Sequence, residues 1–208
     1  MQLPSTMKKI DEWVILGPMG PALPEKLNQM PQLGVDGGAH FSNRLLVWVG
    51  DADSFNQEVK AEAIFKVPTE KHESDFALAL GLFKDPRHYL FHLWGFLGGR
   101  GDHELFNLGE AFHFLEDHPE SQLHFYNHQG LISYMVLGAG NWKFYHHGLF
   151  SIGTLKKTSL KMTGQCRYPL TSFHAIRPLT SQGLSNVAEG EVTIENEGPI
   201  FIYFPEGK

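Results

Sequence analysis

The sequence predicts an α/β domain with a mainly parallel sheet over residues 1–140 and a smaller all-β domain over residues 141–208. Three observations carry that prediction. Apolar runs rich in β-branched and aromatic residues end abruptly in glycines and acids, as buried strands of parallel sheets do. The order strand, glycine turn, acid, helix recurs along the first half. After about residue 120 the texture changes to short strands separated by glycine turns, which argues antiparallel structure.

Trp13-Val-Ile-Leu16 reads as the first strand, broken by the Gly17–Pro21 loop. Leu33-Gly-Val35 is a second, ending in Asp36-Gly37-Gly38-Ala39. Val47-Trp-Val49 is a third and runs into Gly50, Asp51, Ala52, Asp53 and Ser54. Residues 61–67 read as a helix-to-strand passage closed by Pro68. Ser74 is a natural N-cap for the apolar stretch that follows, and Asp75 in the first turn suits the helix dipole. Tyr89–Leu97 is a buried strand ending in Gly98-Gly99-Arg100-Gly101-Asp102-His103. Leu105, Leu108, Phe112 and Leu115 then follow at helical spacing, so a helix begins near Asp102.

The second half supplies strands at Leu123–Tyr126, Leu131–Leu137, Lys143–Tyr145, Phe150–Ile152, Leu160–Met162, Glu191–Ile194 and Ile200–Phe204. The turn chemistry of Glu195–Pro199 reads as a hairpin joining the last two.

Composition narrows the function classes. Hydrophobic residues make up 42% and charged residues 19% of the 208, the balance of a soluble globular chain. A formal net charge of −6 and the lack of a basic run argue against nucleic-acid binding. No apolar run approaches membrane-spanning length, and no signal core follows the N-terminus. Cys166 is the only cysteine, which excludes an intramolecular disulfide and favours a cytoplasmic setting.

The chemistry-bearing residues sit at strand ends, where ligands of open α/β sheets bind. Asp51 and Asp53 repel each other unless a cation or shared proton relieves them, and a hard divalent ion suits oxygen ligands. A solvated Asp-x-Asp turn capping the next helix fits the same residues. The helix opening at Ser74 offers amide donors for a phosphate, and Arg100 offers a planar fork. No G-x-x-x-x-G-K-S/T motif occurs, nor does the G-x-G-x-x-G fingerprint fit. Ser54 and Ser185 lack a nucleophile-elbow context, and the histidine pairs lack zinc-site spacing.

In their order, Asp36-Gly-Gly-Ala39, Gly50-Asp-Ala-Asp-Ser54, Ser74-Asp75, Gly98-Gly-Arg-Gly-Asp-His103, Gly164–Leu170, Ser185-Asn186 and the closing turn with Gly198 resemble the thiamine pyrophosphokinase family. The resemblance covers nearly the whole chain. It implies an α/β domain, a C-terminal β-sandwich and a homodimer with shared active sites. The implied reaction moves the terminal pyrophosphoryl group of ATP to the thiamine hydroxyl and releases AMP. By motif matching, Asp51, Asp53 and Asp75 would hold Mg²⁺, with Asp102 a further ligand or the base. Asp36, Gly37, Lys71, Ser74, Arg100 and His103 would surround the nucleotide. Ser185 and Asn186 would help form the thiamine pocket.

The chain also departs from the family's pattern. His72 replaces an acid, Ala52 and Gly101 replace large apolar residues, and Val187 replaces a Glu. These changes leave open a related pyrophosphokinase with another acceptor, such as a hydroxymethyl pterin. They also leave open a regulator that binds without converting, and, more distantly, a metal-dependent pyrophosphohydrolase.

Overall fold

The computed structural model describes residues 1–42, 44–51 and 59–208. Its parallel strands are β1 (Glu12–Leu16), β2 (Gln32–Val35), β3 (Leu45–Gly50), β4 (Ala61–Lys66), β5 (Leu90–Trp94) and β6 (Gln122–Tyr126). They lie in the order β6-β5-β1-β2-β3-β4. The antiparallel strands are β7 (Ile132–Leu137), β8 (Gly140–Gly153), β9 (Thr158–Cys166), β10 (Leu170–Ile176), β11 (Asn186–Asn196) and β12 (Ile200–Tyr203). β7 pairs with β6, and the ladder continues β7-β12-β8-β11-β9-β10. The molecule is thus mostly sheet, and hydrogen bonding runs unbroken through twelve strands of mixed direction.

Helices α1 (Glu25–Asn28), α2 (Asp75–Leu80) and α3 (Gly101–Asp117) are few and mostly short. Strand alternation decides where they pack. Trp13, Ile15, Val47, Val49, Phe91, Leu93, Leu123 and Phe125 share one core with Phe76 and Leu80 of α2 and with Leu108, Phe112 and Leu115 of α3. Their neighbours in sequence, Val14, Leu16, Trp48, Trp94 and Tyr126, form a second core with Leu27 of α1. Both faces of β1, β2, β3 and β5 are therefore buried, which explains their continuous apolar runs. A third core draws on β7–β12, with Phe144, Phe150, Ile194 and Phe204 among its buried side chains. No helix among the described residues is long and apolar enough to cross a membrane.

Several local expectations need correction. Residues 61–66 are strand alone, with alternating partial exposure, because β4 forms the outer edge of the parallel half. Lys143–Tyr145 and Phe150–Ile152 belong to one 14-residue strand, since the ladder to β11 runs through Gly148 without a break. β10 is a strand the apolar pattern did not announce; most of its residues are exposed. The Glu195–Pro199 turn is not a hairpin, because β8 lies between β11 and β12. Asn196 fixes that turn: its Nδ2 donates to the carbonyls of Gly138, at 2.8 Å, and Gly198, at 2.7 Å.

Candidate active site

The carboxyl ends of β1, β2 and β5 and the start of α2 and α3 surround a cavity of about 500 Å³. Pro18 and Met19 come from the loop after β1, Asp36 from the end of β2, and Ser74 and Asp75 from the start of α2. Gly95–Arg100 contribute the loop after β5, and His103, Glu104 and Asn107 the first turns of α3. Grooves of similar size lie elsewhere, between α2 and α3 and beside Lys156–Ser159, so convergence of chemistry rather than volume singles out this one.

Backbone packing sets the walls. The loops after β1 and β5 cross closely: Gly17 N donates to Trp94 O at 2.7 Å, and Met19 N to Gly95 O at 3.0 Å. Gly95 has φ +80°, and a Cβ there would lie 2.6 Å from both Gly17 O and Gly20 N. Only glycine fits that conformation and approach. Asp36 is a non-glycine residue at φ 47°, held by Trp48 Nε1 donating to its carbonyl at 3.0 Å. That side chain is thereby turned to the cavity at a cost of backbone strain. Gly37 follows it in a 3-10 turn and packs beside Pro18.

The acids meet around Lys71. Its Nζ lies 3.4 Å from Asp51 Oδ2 and 3.2 Å from Asp75 Oδ1, with all three side chains less than one-fifth exposed. The contact to Asp75 is ionic and not aligned as a hydrogen bond, so Asp75 Oδ1 and also Asp36 Oδ1 are buried oxygens without a donor. Burial first, and then the charges of Asp36 and Asp51, push the Asp75 carboxyl above its ordinary range despite Lys71. Burial alone would lower the Lys71 ammonium, but together Asp75 and Asp51 raise it. Excess negative charge in a partly dry place is what a divalent cation relieves.

Arg100 and Asp102 form a more exposed pair: Arg100 Nε donates to Asp102 Oδ1 at 3.1 Å, and a second bond joins Nη2 to Oδ2. Asp102 Oδ1 also accepts from His103 N at 3.0 Å. The Arg100 bond, ahead of the other contacts, holds the Asp102 carboxyl below the usual range and raises the guanidinium. Ser74 Oγ accepts from Ala77 N at 3.1 Å and so caps α2 as its position suggested.

Of the residues singled out in the sequence, Asp36, Ser74, Asp75, Arg100 and His103 line the cavity. Asp51 and Lys71 join it through Asp75, and Asp102 through Arg100. Asp53, with Ala52 and Ser54, lies outside the described residues. Ser185 and Asn186 are not brought to the cavity within one chain. Ser185 N donates to Ser151 Oγ at 3.0 Å, with φ 59°. Asn186 is buried; its Oδ1 accepts from Tyr168 N and its Nδ2 donates to Tyr168 O, both at 3.0 Å. It clasps the turn before β10 and borders a separate cavity of about 150 Å³ with Tyr168 and Leu184.

Two lining residues escaped sequence reasoning. Glu104 Oε1 accepts from Gly98 N at 2.6 Å, and Asn107 Nδ2 approaches Phe96 O at 3.4 Å. Asn107 stands four residues after His103 on α3, a spacing that places both on one helix face and could have revealed it. Two of the four departures are also placed. His72 is exposed and off the cavity lining, while a Cβ on Gly101 would meet open space.

Among the described residues, no group of three or more His, Cys, Asp or Glu side chains could hold a metal ion. Mg²⁺ asks for less, since it is usually bound by one or two carboxylates plus substrate phosphates and water. The orphaned oxygens of Asp36 and Asp75 and the hard oxygen donor set fit that mode.

Fold and cavity together define a mixed-sheet α/β protein that collects carboxylates and an arginine beyond the ends of parallel strands. Among solved structures, this is the fold of the thiamin pyrophosphokinases. The Bacillus subtilis thiamine pyrophosphokinase superposes with a TM-score of 0.67 at 18% identity, over 92% of this chain and 96% of that one. The Candida albicans enzyme gives 0.68 at 14% identity over 92% and 88%, and the yeast enzyme 0.59 at 11% over 99% and 92%. At these identities the likeness establishes the fold. No protein-family profile matches the chain, and no curated protein matches it.

Proposed function

We propose that this chain is a Mg²⁺- and ATP-dependent thiamine pyrophosphokinase. The observation that carries the reading is the pairing of Asp51 and Asp75 across Lys71 beside the two orphaned carboxylate oxygens, at the ends of parallel strands. Pyrophosphoryl transfer asks a protein mainly to position reactants in line and to stabilise developing charge. Mg²⁺, held by Asp51, Asp53 and Asp75 as the motif match implies, would neutralise phosphate oxygens. Arg100 would grip the ATP phosphates, with Ser74 and His103 beside them. The thiamine hydroxyl would attack the β-phosphorus, and AMP would leave. Asp102, paired with Arg100 through both carboxylate oxygens, would orient the guanidinium and serve as a further metal ligand or as the base toward the thiamine hydroxyl.

In this reading residues 141–208 form a β-sandwich domain that carries Ser185 and Asn186 to the partner's cavity in a homodimer. Asp75→Asn tests the assignment. It should lower thiamine diphosphate formation by about 10²–10³-fold, the loss expected for a preorganised charge-stabilising group. The melting temperature should hold or rise, because the variant removes a charge that burial disfavours. Turnover within threefold of wild type on thiamine would reject the metal assignment; turnover of a pterin alcohol alone would move the acceptor.

A further inference from the structure

We propose that Lys71 is a tethered cation that holds the place of the divalent metal between Asp51 and Asp75 and must be released when the metal binds. The inference rests on the metal-site reading above and adds a regulation of that site. Lys71 is not an ordinary helix-surface lysine. It precedes α2, whose cap is Ser74, so its four-residue separation from Asp75 is not a pair along the helix. A cation before a helix start also opposes the helix dipole. Its side chain is 16% exposed, although a lysine ammonium prefers water. The carboxylates are what keep it there.

One positive charge does not neutralise this cluster. Asp36, Asp51 and Asp75 couple electrostatically, and two of their oxygens stay without a donor while Lys71 is in place. A divalent ion supplies the missing charge and satisfies those oxygens, but it and the ammonium compete for the same carboxylate faces. Once displaced, the four-carbon stem can carry the ammonium toward phosphate oxygens arriving with the metal. The protein would then hold its acids in order without metal, and would favour metal together with nucleotide over metal alone.

The test uses nucleotide-free protein stripped with EDTA and titrated with Mn²⁺ alone, so neither acceptor nor turnover enters. Lys71→Gln should melt below wild type without metal, bind Mn²⁺ about five- to tenfold more tightly, and gain more melting temperature from it. Lys71→Arg, which keeps the charge, should behave like wild type. In wild type, amine acetylation of Lys71 read by mass spectrometry should rise when Mn²⁺ is added; this arm stands even if Lys71→Gln does not fold. Equal or weaker Mn²⁺ binding by Lys71→Gln, or unchanged Lys71 labelling with Mn²⁺ bound, would overturn the inference. Absence of nucleotide-free Mn²⁺ binding in every protein would overturn this inference alone; the metal reading falls only if Asp75→Asn keeps its turnover.

Discussion

Asp36 shows how single residues here trade local comfort for position: a left-handed backbone, a carbonyl tied to Trp48 and a carboxylate oxygen without a donor. Such costs are expected where ligands complete the bonding. His124 gives a contrasting case away from the cavity. It stands on β6 beside His92, with Nε2 2.9 Å from Gln122 Oε1. His92 in turn places Nε2 3.0 Å from Glu12 Oε1 and Nδ1 2.8 Å from the Tyr126 hydroxyl. Burial, and then the charges of His92 and Lys208, push the His124 imidazole down to about 3. The unfolded chain therefore binds a proton that the folded chain refuses between an ordinary pKa of about 6.5 and that value. This contribution to stability is complete above about pH 6.5 and is lost as pH falls. Between those two values the slope approaches about 1.4 kcal/mol per pH unit. Urea midpoints between pH 7.5 and 4.5 should fall more steeply for wild type than for His124→Gln; parallel curves would contradict the account.

At the scale of elements, legibility followed burial. β1, β2, β3 and β5 were readable because both faces are covered and their apolar runs are continuous. β4 and β10 were not, because each lies at a sheet edge and exposes polar side chains that look like loop. The false hairpin at Glu195–Pro199 has a related cause: turn chemistry is local, and nothing in those residues reports that β8 enters between their strands. The site was legible in its strand-end acids, Ser74 and Arg100, whose positions follow from where strands stop. Glu104 and the bridging place of Lys71 depend on distances that spacing does not fix. The crossing loops after β1 and β5 offer a test at this scale. Gly95→Ala must strain φ +80° and push apart Gly17 and Gly20. We expect a loss of about 1–3 kcal/mol by denaturant titration, the usual cost of overpacking or a strained backbone. Unchanged stability would mean that the loops are not locked together.

Across the whole molecule, one ladder of twelve strands joins a parallel half that builds the cavity to an antiparallel half that carries Ser185 and Asn186. Ser185 and Asn186 do not line that cavity, which is why the shared site of a homodimer belongs to the proposal. The central claim is the transfer of a pyrophosphoryl group, and product identity tests it most directly. Purified protein given Mg²⁺-ATP and thiamine should yield AMP and thiamine diphosphate in equal amounts, with no AMP when thiamine is omitted. ADP with thiamine monophosphate, or AMP that forms without thiamine, would contradict it.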